Sequence, residues 1–172
     1  MNFKDILRHS ATLFFILLFS SNFTNAQDLN ENLTFFKPLL NKTWKGHFQN
    51  PVVEEITHIC KWDIIKSGYA VRLNKSVPEV KGFEMEITYY YDAMDKEVKF
   101  LTITNNGHLS RGTVTNEGNR IITIGWQMGP NGVKKVKQTF EVGEDGNLHD
   151  YFGSAEADEN FRGHYIKYTV EN

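Results

Sequence analysis

The chain is marked first by scarcities. Among its 172 residues there is one cysteine, only four prolines, no block of basic residues and no apolar run beyond a short one near the N-terminus. Cys60 has no second cysteine to join, so no internal disulfide can form. Within the segment Ile59–Trp62 it reads as a buried, inert thiol. The formal net charge of −2 argues against nucleic acid, which is usually met by a basic face. Lys134-Lys135-Val136-Lys137, the densest basic stretch, reads as the solvated side of a strand. No His-x-His, His-Glu-x-x-His or cysteine pair supplies metal-ligand spacing, so no metal site is expected. A Gly-x-Ser-x-Gly elbow is missing, and Gly129–Gly132 lacks the Lys-Ser/Thr ending of a phosphate loop. Glu84 and Glu86 point the same way two residues apart, which does not suit a pair of glycosidase carboxylates. The residues therefore offer no catalytic constellation, and the chain reads as a binder rather than an enzyme.

Residues 1–26 carry the pattern of a secretory signal. Lys4 and Arg8 give a basic start, Ala11 to Phe19 form the apolar run, and Thr24-Asn25-Ala26 is a small-residue cleavage site. That run is well short of the roughly 20 residues a membrane helix needs, so no membrane span is expected once the signal is removed. No cysteine follows it, which argues against a lipid anchor. The expected product, residues 27–172, is a secreted or periplasmic domain of 146 residues. With Lys4, Asp5 and Arg8 gone, its net charge is −3. That length suits one domain with a full core. The sites Asn32, Asn41 and Asn74 would carry glycans only in a host that adds them.

What the chain has in abundance is period-2 alternation. From Ile56 to Ile64 the even positions His58, Cys60, Trp62 and Ile64 share a face. Tyr69, Val71, Leu73 and Val77 do so in the next run, and Phe83, Met85, Ile87, Tyr89 and Tyr91 in the one after. Such alternation marks half-buried antiparallel strands. The expected register places Ile64 opposite Tyr69, Trp62 opposite Val71, Cys60 opposite Leu73, Val77 opposite Phe83, and Tyr89 opposite Phe100. Turn residues then recur: Asn105-Asn106-Gly107, Asn116–Asn119, Gly129–Gly132, Gly143–Gly146 and the loop Gly153–Asn160. Between them Ile122, Ile124 and Trp126 share a face, as do Val136, Phe140 and Val142. Ahead of the strands, Leu33, Phe36 and Leu40 recur at helical spacing in a segment limited by Pro38. The fold class is thus all-β: a single antiparallel up-and-down β-barrel of about ten strands, with a short N-terminal helix as plug.

The stretch Leu39-Leu40-Asn41-Lys42-Thr43-Trp44-Lys45-Gly46 resembles the start of calycin barrels, in which a short helix leads into a first-strand Trp at one end of the barrel. Lipocalins place a Gly two residues ahead of that Trp, where this chain has Lys42, whereas Trp44-Lys45-Gly46 is similar to the Trp-x-Gly start of nitrobindin-like barrels. Gly68–Arg72 through Gly82-Phe83-Glu84 further resembles secreted bacterial barrels of this kind. The calycin resemblance implies a small, mostly apolar ligand inside the barrel, and no cofactor is expected for such a carrier.

Inward residues are the natural ligand contacts. Parity selects Trp62, Tyr89, Tyr91, Phe100, Trp126 and Tyr168 as an aromatic lining, with His58 and His164 as polar contacts. Their plainer reading is packed core. Two alternatives accompany the carrier. The nitrobindin resemblance implies haem, with His164 as its axial ligand, and a solid barrel would act as a protein-interaction module. Arg72 faces either outward, in a charge ladder with Glu86, or inward, toward a ligand carboxylate.

Overall fold

The computed structural model describes residues 28–49, 56–130, 132–155 and 164–171. Residues 1–26, expected to be a signal, lie outside them. Ten strands form a closed antiparallel barrel in which each strand pairs with its sequence neighbours and the last pairs with the first. They are β1 (Thr43–Phe48), β2 (Thr57–Ile65), β3 (Ala70–Ser76), β4 (Glu84–Asp92), β5 (Glu97–Thr104), β6 (Leu109–Glu117), β7 (Arg120–Gly129), β8 (Gly132–Val142), β9 (Leu148–Ser154) and β10 (His164–Val170). The expected all-β up-and-down barrel is the observed one.

Alternation places Trp44 on β1, Cys60 and Trp62 on β2, Val71 and Leu73 on β3, and Ile87 and Tyr89 on β4 in the interior, all buried. The registers of β3 with β4 and of β4 with β5 are those expected: Val71 opposes Tyr89, Leu73 opposes Ile87, and Tyr89 opposes Phe100. The β2–β3 register differs. Ile64 opposes Val71, Trp62 opposes Leu73 and Cys60 opposes Lys75. Lys66 and Ser67 take left-handed backbone angles (φ 52° and 56°), so the reversal falls one residue later, at Lys66–Tyr69. Each partner shifts by two, which keeps every side chain on its own face. Tyr69, expected inside, is left in the turn and is 69 % exposed.

A 3-10 helix (Glu31–Leu39) closes one end. Asn30 caps it, accepting from the Asn32 amide, and the Asn30 N–H donates to Gly68 O at 2.9 Å, docking the segment on the β2–β3 turn. Leu33, Phe36 and Leu39 are buried beneath it. The Phe36 ring lies 4.7 Å from Tyr89 and 5.7 Å from Trp62, and Trp62 stacks on Tyr89 and meets Phe140 edge-on. Trp44 Nε1 donates to Leu39 O across the same cap.

Two glycines permit close packing. A Cβ at Gly46 would sit 2.7 Å from the Tyr168 ring, which accounts physically for the small residue two after Trp44. A Cβ at Gly125 would sit 2.9 Å from the Phe100 ring.

Candidate functional site

Away from the helix the lumen is hollow. A cavity of about 380 Å³ occupies the end reached by the last residues of the odd strands and the first of the even ones. One wall is apolar: Phe48, Ile56, Val77, Phe83, Met85 and Ile87. The facing wall, from β5 to β8, carries Thr102, Ser110, Thr123, Gln127 and Gln138. The β3–β4 loop adds Val80, nearly half exposed, at the mouth.

At its inner limit a buried ion pair crosses the lumen. Lys75 on β3 reaches Asp150 on β9 with Nζ 3.0 Å from Oδ2, and both side chains are almost wholly withdrawn from solvent. Gln138 Nε2 donates to the other carboxylate oxygen at 2.7 Å. The Lys75 ammonium also lies 5.7 Å from the centre of the Tyr168 ring, whose hydroxyl donates a long 3.5 Å bond to Asp150. Burial works to lower the lysine's pKa, but the Asp150 carboxylate and Cys60 outweigh it and hold the ammonium above its ordinary range. Burial pushes the Cys60 thiol up to about 11, so this free cysteine is the inert one expected.

His58 stands on the same inner surface, buried, with its ring edge-on to Phe48 at 4.6 Å. Neither ring nitrogen has a hydrogen-bond partner among the described residues. Burial, and then the Lys75 charge, lower its pKa to about 4, so the imidazole is neutral at pH 7.

Of the eight residues selected by parity, Phe100, His58 and His164 line this cavity. Trp62, Tyr89 and Tyr168 are inward but lie in the packed half, and Tyr91 is half-buried against that core. Trp126 is a correction: it is 51 % exposed on the outer wall. The inward residues of β7 are Ile121, Thr123, Gly125 and Gln127, while Ile124 is exposed beside Trp126. The more hydrophobic face of β7 is thus the outer one, which is why parity misplaced it. Arg72 faces outward, pairing with Asp63 at 3.7 Å and Glu86 at 4.0 Å in a half-exposed ladder. His164 sits at the exposed start of β10, its ring 5.2 Å from Phe48.

Lys75, Asp150 and Gln138 were missed. The signal was present: Lys75 holds an inward position between Leu73 and Val77, and Asp150 holds one between Leu148 and Phe152. One cation and one anion, each interrupting an apolar face, are the mark of a pair that meets across a core. Among the described residues no group of three or more His, Cys, Asp or Glu is placed to hold a metal ion. No protein-family model matches the chain, and no curated protein is detectably similar to it.

Proposed function

We propose that this protein is an exported, calycin-like barrel that binds a small, mostly apolar molecule in the open half of its lumen, without chemistry. The observation that carries this reading is the blind cavity itself. Its roughly 380 Å³ falls at the small end of the about 300–1,000 Å³ typical of ligand pockets. Its apolar wall offers burial to a hydrocarbon portion. The absence of chemistry is argued from the ion pair. Asp150, the carboxylate that lines the cavity among the described residues, has one oxygen held by Lys75 and the other by Gln138, so it is not a free base facing a ligand. Export is argued from the signal pattern of residues 1–26 and the family reading from the Trp44-Lys45-Gly46 start.

The test is native mass spectrometry of the protein purified from its own exported compartment, with an absorption spectrum of the same sample. An added mass of a few hundred daltons without a Soret band is the expected result. A Soret band lost in His164→Ala would replace the carrier by a haem barrel. Bare protein mass that persists after incubation with medium-chain amphiphiles would overturn the carrier reading.

A further inference from the structure

The polar wall of the cavity divides into groups already in use and groups that are not. The Thr123 hydroxyl donates to Gln138 O at 3.5 Å, and the Gln138 amide holds Asp150. Thr104 bonds within the β5–β6 turn, to Asn106 and to His108 O. What is left forms one row. Thr102 on β5 opposes Ser110 on β6, and Ser110 opposes Gln127 on β7. None of these three side chains has a hydrogen-bond partner among the described residues. Thr102 and Ser110 are buried residues, yet their hydroxyl oxygens are not sealed off as the polar atoms of Trp62 and Tyr89 are. They open onto the cavity they line.

Each hydroxyl in the row can donate and accept, and the Gln127 amide can do both as well. Their spacing is set by the sheet: neighbouring strands lie about 4.8 Å apart, so opposed residues present their groups at roughly 5 Å intervals. Across the lumen, Val77, Met85 and Ile87 offer apolar surface. The one lysine and the one carboxylate of the lining are spent on each other at 3.0 Å. A charged ligand group would find no counter-ion in either.

Resting on the carrier reading, we propose that the ligand is an uncharged molecule with two unlike sides. One is hydrocarbon and lies against β3 and β4. The other carries at least two hydroxyl or carbonyl groups on one edge, roughly 5 Å apart, which bond the Thr102–Ser110–Gln127 row. A fatty acid, with its polar atoms gathered in a single charged end, does not match this wall.

Isothermal titration at pH 7 with pentylbenzene, 3-pentylphenol, 5-pentylresorcinol and 4-pentylbenzoate tests this. The first three add one hydroxyl at a time to one edge of the same skeleton. A hydroxyl that leaves water for an apolar pocket weakens binding unless the wall returns the bond, so the trend has a sign. Wild type should gain about fivefold in affinity with each hydroxyl and bind the benzoate more weakly than the resorcinol. Thr102→Val and Ser110→Ala break no bond within the protein. Each should remove most of one step, and the double variant should level or invert the series. Circular dichroism melts of the same samples show that each variant is folded. If pentylbenzene binds wild type as tightly as 5-pentylresorcinol, if the benzoate binds tightest, or if the resorcinol preference survives in the folded variants, the two-sided ligand is wrong and the carrier reading stands. If none of the four binds wild type, both fall together.

Discussion

At the helix end of the lumen, Phe36, Trp62, Tyr89 and Phe140 fill the interior with rings in contact. At the other end, Val77, Met85, Thr102 and Ser110 stand around open space. Between the two stands the Lys75–Asp150 pair. One barrel thus holds two interiors, and the strands that cross both serve a different purpose at each end. Aromatic bulk at the closed end supplies the burial that stabilises the fold. The open end gives up part of that burial in exchange for a lumen with polar atoms. A barrel of this size can be packed or hollow; here the 3-10 helix decides which end is which.

That contrast can be broken at its divider. Asp150→Leu strands Lys75 as a buried cation and should cost about 3–5 kcal/mol in urea denaturation. Combining it with Lys75→Met should recover most of the loss, since both charges then leave together. The pair's own contribution runs in a defined direction with pH. Lys75 is held above its ordinary value of 10.5, so its stabilisation is complete below that pH and is lost as the solution becomes more alkaline.

The two ends should then separate by mutation. Phe36→Ala removes a fully buried ring from the closed end and should cost about 3–5 kcal/mol. Met85→Ala, a half-buried side chain beside empty space, should cost roughly 1 kcal/mol, because fewer contacts are lost. Equal losses at the two sites would mean that the open end is as tightly packed as the closed one.

His58 sharpens the comparison through acid. Its folded pKa of about 4 lies below the ordinary 6.5, so the unfolded chain binds the extra proton first. Stability should be intact above pH 6.5 and fall as pH drops from there toward 4. His58→Leu should flatten that part of the profile in urea midpoints measured against pH.

The smallest effect is expected outside the barrel. Trp126→Ser should change stability by no more than about 0.5 kcal/mol. Acrylamide should quench Trp126 in the native protein while sparing Trp44 and Trp62, which are fully buried.

These contrasts also mark how far the sequence could be read. Val71, Tyr89 and Phe100 fell on one row because three consecutive runs agreed on their apolar parity, and nothing in the tertiary structure competed with it. The β2–β3 register slipped because the position of a four-residue reversal depends on left-handed angles at Lys66 and Ser67, neither a residue that announces them. Trp126 misled because a barrel wall with Thr123 and Gly125 inside and Ile124 and Trp126 outside inverts the usual rule. His58 was found on the inward face by its spacing alone. Lys75 and Asp150 were not, since they are 75 residues apart in the chain and only closure brings them together. Nor could alternation say where packing stops and the cavity begins, because both halves share it.

The seam between β1 and β10 has a consequence for how the molecule comes into being. Trp44 pairs with Val170, Phe48 pairs with Ile166, and the Glu171 amide donates to Thr43 O at 2.8 Å. The first strand to leave the ribosome therefore waits for the last. Until residues near 170 are available, β1 and β9 are unpaired edges, open to other chains. Their pairing partner lies more than a hundred residues away along the chain for β1, which makes this contact a slow one to form. Loss of a few residues from the C-terminus would thus not merely fray an end. It would leave a cylinder unzipped, with Trp44 and Cys60 beside the opening, and turn a closed wall into a surface for aggregation.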